Sequence, residues 1–145
     1  AMEMQETGNI VIFYKPQGMA SKNPNLKVDD LVLILMNDPQ KKILKDYANN
    51  FICRDATHGM NSYGFEITTL LTLDNLHLHE GFPCVFMFSN RTNQGMLEIF
   101  LSNIKHVIHN ISTKVFMSDM ATEFANAWIK IMGEPAIMSC FVPGM

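Results

Sequence analysis

FICRDATHGMNSYGFEITTLLTLDNLHLHEGFPCVFMFS, residues 51–89, decides the fold. Three runs in it are rich in β-branched, aromatic and other apolar residues: Phe51 to Asp55, Tyr63 to Leu73, and Phe82 to Ser89. The links between them, THGMN and NLHLHEG, are short. Short links join antiparallel neighbours, because a parallel pair needs a crossover of a dozen or more residues. The stretch predicts a three-stranded antiparallel meander.

Downstream, Thr92 to His109 reads as a helix, with Leu97, Phe100, Leu101, Ile104 and Ile108 on one stripe. Lys114 to Ser118 is a strand. Met120 to Met132 is a second helix, with Ala121, Phe124, Ala125, Trp128, Ile129 and Met132 at helical spacing. Ala136 to Val142 is the last strand. Strands reached through helices pair in parallel. Upstream, Asn9 to Tyr14 is a strand and Lys15 to Asp30 a long loop rich in Pro, Asn, Gly and Lys. Leu31 to Met36 is apolar at every position, so it predicts a strand buried on both faces. Asp38-Pro39 opens a helix, with Asp38 as cap and Pro39 first in the helix.

From residue 51 the order is β-β-β-α-β-α-β. That is the order of an RNase H-like α/β fold: a mixed sheet with three antiparallel strands followed by a parallel α-β-α-β. Residues 1–50 are a β-β-α lead-in and 51–145 the core, together one compact unit. The complete RNase H-like fold adds a final helix. None is expected here, so one sheet face should be partly uncovered, which invites a protein partner or a homodimer.

Composition bounds the function. The chain has 145 residues, enough for one domain, with 48% hydrophobic and 17% charged residues. No apolar run approaches the roughly 20 residues of a membrane helix, and the start is not basic-then-apolar. The net charge is −3. A module that grips DNA alone usually carries a basic surplus, so any DNA contact is expected from regions outside this chain. Cys53, Cys84 and Cys140 are scattered and form no CxxC motif. They read as reduced, buried thiols of an intracellular protein.

The chemistry rests on two acids. Asp55 sits at the end of the first meander strand. Asp119 directly follows the fourth core strand. In an RNase H-like sheet those strand ends are neighbours, and two carboxylates there suit Mg²⁺, a hard cation that activates a nucleophile and stabilises a leaving oxygen in phosphodiester chemistry.

The segments ICRDATHGMNSYGFEITTLLTLD, EGFP, SNR and KVFMSDMATEFANAW resemble the transposase domain of Mutator-like elements, and FYKPQG near the start resembles the lead-in of some members. The resemblance covers about residues 9 to 140. It implies a DDE transposase core in which Asp55 and Asp119 are the first and second catalytic acids, binding Mg²⁺ if the site is active and no cofactor otherwise. It implies a role for His58 in orienting a phosphate or a metal-bound water, and a nuclear location. The family carries a third acid, a Glu on a later helix, and a Cys-x-x-His after the last strand. No position here corresponds to that Glu, and Pro143 stands where the His belongs. The resemblance thus favours a transposase-derived domain that has lost DNA cleavage and acts in interaction or assembly. The rival reading is the amino-terminal part of an active transposase that cleaves and transfers DNA strands with Mg²⁺.

Other acids and histidines have plainer readings. Glu98, in the second turn of the helix after the meander, is a candidate substitute acid, but its position suits a solvated helix residue. Glu123 suits compensation of a helix dipole, as do His106 and His109. His77 and His79, near Asp74 and Glu80, lack a third fixed zinc ligand and read as surface loop. The loop from Gly18 to Asp30 is the least constrained segment, either a binding loop or mobile.

Overall fold

Alternation builds the sheet. In the computed structural model, residues 10–57, 65–73, 81–118 and 122–140 are described, the side chains of residues 57, 139 and 140 excepted. The strands are β1 (Val11–Lys15), β2 (Val32–Leu35), β3 (Phe51–Thr57), β4 (Glu66–Leu73), β5 (Gly81–Ser89), β6 (Val115–Ser118) and β7 (Ile137–Cys140). The helices are α1 (Asp38–Tyr47), α2 (Gln94–Ile108) and α3 (Thr122–Met132). Successive strand side chains point to opposite faces. In β4, Thr68, Leu70 and Thr72 are fully buried, while Ile67, Thr69, Leu71 and Leu73 between them are half-buried.

The seven strands form one mixed sheet in the order β1-β2-β5-β4-β3-β6-β7. The meander β3-β4-β5 is antiparallel, and β6 and β7 join in parallel on the β3 side. The lead-in strands continue the same sheet, because β2 pairs antiparallel with β5. The described residues thus give an α/β architecture, compatible with an RNase H-like fold.

One face of this sheet holds the core. Val32, Ile34, Ile52, Leu70, Val85, Met87 and Phe116 cluster there with Leu44 of α1, Phe100 and Ile104 of α2, and Phe124 and Trp128 of α3. On the other face, Leu33, Leu35, Phe51, Cys53, Ile67, Leu71, Phe86, Phe88 and Met117 are only half-buried. Among the described residues no helix packs its buried side chains on that second face.

Several expectations need correction. β2 is not buried on both sides: Val32 and Ile34 face the core, and Leu33 and Leu35 face outward. β3 runs two residues past Asp55, because its ladder with β4 continues through Ala56↔Thr68 and Thr57↔Ile67. The cap of α1 is Asn37, not Asp38. The Asn37 side chain accepts from the Gln40 N–H at 2.8 Å, and the Gln40 side chain accepts from the Asn37 N–H at 2.9 Å. This reciprocal pair satisfies two otherwise orphaned donors. Gln40 also donates to the Pro83 carbonyl at 3.2 Å, tying α1 to β5. Replacing Asn37 by Ala is expected to lower stability by about 1 kcal/mol, measured by urea unfolding with an unchanged m-value. Helix α2 begins at Gln94, after the cap Asn93, and not at Thr92.

The loop from Gly18 to Asp30 is pinned at its base. The Lys15 ammonium is buried and donates to the carbonyls of Val28 and Asp30 at 2.7 Å each and of Pro16 at 3.2 Å. Asp30 is buried too, and Arg91 grips it with Nε and Nη2, both at 2.7 Å. The Lys27 N–H donates to the same carboxylate at 2.7 Å. Gly18 lies at φ +84, where a side chain would be strained, and its N–H bonds the Val28 carbonyl at 2.8 Å.

Candidate functional site

β3 presents different chemistry to its two faces. Arg54 points into the core and is buried, its guanidinium 5.6 Å from the centre of the Phe124 ring in α3. Such stacking suits a cation that must leave water. Asp55, one residue on, points to the other face and is exposed. It lies opposite Thr69 of β4. On its other side β3 runs parallel to β6, with Cys53 opposite Met117.

Asp55 borders a shallow hollow of about 290 Å³, lined also by Phe51, Cys53, Arg54, Leu71, Leu73 and Gly81. The hollow is apolar apart from this rim. Cys53 is half-buried, not fully buried as expected, because it shares the outward face with Asp55. Its thiol lies 3.7 Å from the Arg54 carbonyl. Cys84 is fully buried, and burial pushes its thiol up to about 12, which keeps it protonated and inert.

Asp119 follows Ser118, the last residue of β6, and lies outside the described residues, as do His58, His77, His79, Asp74 and Glu80. Among the described residues no group of three or more His, Cys, Asp or Glu side chains could hold a metal. An exposed carboxylate on β3 nevertheless fits a hard cation as one oxygen donor.

Glu98 is engaged elsewhere. Its carboxylate pairs with Lys130 of α3 at 2.8 Å and accepts from Gln94 at 3.1 Å. It stands on the helix side of the sheet, whereas Asp55 opens to the other side, so the structure does not bring the two acids together. Glu123 is exposed in the first turn of α3, in keeping with dipole compensation. His106 lies in the last turn of α2 and His109 is its C-cap, both exposed.

Two quoted segments turn out to carry structural roles that their sequence did not signal. Lys15, in FYKPQG, and Asn90 and Arg91, in SNR, hold the 16–31 loop: Asn90 accepts from the Leu31 N–H at 3.0 Å and donates to the Asp29 carbonyl at 3.1 Å.

No family model matches the sequence, and no curated protein matches it. Among solved structures, a chain in the cryo-electron-microscopy structure of the simian T-cell lymphotropic virus intasome in complex with PP2A regulatory subunit B56 gamma is similar over 66% of this chain. The sequence identity is 15% and the TM-score 0.43. The match takes in 32% of that chain, about a third of its length. A likeness of this size assigns neither fold nor function.

Proposed function

We propose that this chain is an RNase H-like domain of the transposase–integrase type, derived from a Mutator-like transposase, that no longer cleaves DNA by itself and serves in nuclear assembly. One observation carries the reading. The strands β5-β4-β3-β6-β7 have the order and directions of an RNase H-like sheet: an antiparallel meander with two later strands added in parallel beside its first. In that arrangement β6 runs parallel beside β3, with Cys53 opposite Met117. β3 carries Asp55, and β6 leads into Asp119. Fold alone does not give function. The two acids carried by these neighbouring strands supply the chemistry.

In this reading Asp55 and Asp119 are the oxygen donors of a weak Mg²⁺ site. When bound, the ion would polarise a phosphodiester oxygen. Loss of cleavage is supported by the engagement of Glu98 with Lys130, which removes it as a third acid. The net charge of −3 supports DNA contact, where it occurs, through regions outside this chain. The half-buried apolar face around Asp55 supports a protein partner.

Nicking of supercoiled plasmid in Mg²⁺ tests the loss of cleavage. Wild type and Asp55→Asn are expected to give the same background. Mg²⁺-dependent nicking by wild type that disappears in Asp55→Asn would replace this reading with that of an active DDE enzyme.

A further inference from the structure

The two edges of the sheet are built differently. β1, at one edge, has a register shift between Val11 and Phe13 and runs straight into Pro16. Bulges and prolines are the devices that stop an edge from accepting another strand. β7, at the other edge, reads Ile-Met-Ser-Cys, without charge or proline. Its pairing with β6 is regular from Val115↔Ile137 to Ser118↔Cys140. Among the described residues no strand pairs with its outer side. Ile137 is 58% and Met138 41% exposed, and the two point to opposite faces. On the helix side, a hollow of about 230 Å³ lies against this edge, lined by Ile129, Glu134, Pro135 and Met138.

We propose that β7 is a dimer edge, through which two copies of this chain pair antiparallel across a two-fold axis and join their sheets into one. The inference rests on the assembly reading above and names its surface. A second copy is favoured by three observations. An uncharged strand meets itself without opposing like charges. A two-fold contact uses the same patch twice and closes at two. The head-to-tail alternative would have to seat β7 on β1, where the bulge and Pro16 oppose it. Pairing satisfies the outer backbone groups of β7, covers Ile137 and Met138, and lets Met138 of each copy enter the hollow of the other. The strand is short, so the contact is small and the dimer is weak and concentration-dependent.

Sedimentation velocity of the full chain over a range of concentrations tests this. Wild type is expected to pass from monomer to dimer. Ile137→Lys and Met138→Lys each place a charge on the edge at an exposed position and are expected to weaken the dimer about tenfold or more. Circular dichroism checks that both variants keep the fold. Tyr14→Lys, exposed on the β1 edge, is expected to leave the dimer unchanged. A wild type that stays monomeric throughout, a dimer indifferent to both β7 variants, or a dimer equally weakened by Tyr14→Lys would overturn the proposal. The plasmid assay reads Asp55 independently, so a monomer with unaltered background nicking removes the dimer edge and leaves the RNase H-like reading standing.

Discussion

Asp30→Ala is expected to lower the unfolding free energy by roughly 3 kcal/mol and the melting temperature by about 10 °C. The carboxylate is buried, 4% exposed, and receives three charge-assisted or backbone donors: Nε and Nη2 of Arg91 and the Lys27 N–H. Removing it leaves a partly buried guanidinium without its anion. Breaking a buried pair from one side costs about 3–5 kcal/mol. The lower end applies because Arg91 is 30% exposed and water can reach part of it. The pH dependence follows from the same contacts. The Arg91 guanidinium, outweighing the opposing effect of burial, holds the Asp30 carboxyl below its ordinary value of 3.8. The unfolded chain therefore binds the proton first, and stability rises with pH across that window. The pair's contribution is fully present above the ordinary value and is lost as pH falls through the lowered one. Wild type and Asp30→Ala should accordingly differ most near neutral pH and converge below about pH 4. Thermal melts from pH 2 to 7 check this. A constant difference across that range would show that the loss comes from packing and not from the charge.

Trp128→Ala is expected to cost about 4 kcal/mol. Trp128 is 1% exposed, and its ring centre lies 5.1 Å from that of Phe116 in β6 and 6.3 Å from that of Phe124 in the same helix. Phe116 and Phe124 also stack, at 5.1 Å. These three rings fasten α3 to the sheet beneath Arg54. Truncation removes the largest buried side chain and leaves a cavity that rigid neighbours close only in part. Trp128→Phe, which keeps an aromatic ring, is expected to lose clearly less. Urea unfolding followed by circular dichroism compares the two, since Trp128 is the only tryptophan. Equal losses would mean that the site tolerates no change of ring shape, and that cavity volume is not the controlling quantity.

The sheet was largely legible in the sequence because its signals are local. Runs of β-branched, aromatic and other apolar residues located β4 and β5, short links fixed the antiparallel meander, and the helical stripes of α2 and α3 implied the parallel crossovers. What escaped depends on contacts between distant residues. Nothing near Lys15 announces that its ammonium will find the carbonyls of Val28 and Asp30, and Arg91 meets Asp30 only after β2 has paired with β5. The same holds for Glu98, whose partner Lys130 lies on another helix. The cap of α1 was missed for a local reason: Asn37 and Asp38 are adjacent candidates, and Gln40 selects Asn37 by returning its hydrogen bond. At the candidate site, the placement of β3, which carries Asp55, beside β6 follows from strand order. The half-burial of Cys53 does not, because it depends on which face the helices cover.

Divalent-ion binding tests the central claim most directly. Mn²⁺, followed by electron paramagnetic resonance and competed with Mg²⁺, reports whether Asp55 and Asp119 hold one ion between β3 and the end of β6. The expected result is a single weak site in wild type, weakened about tenfold or more by Asp55→Asn and equally by Asp119→Asn, with the fold retained in both. Identical Mn²⁺ binding by wild type and both variants would contradict the account.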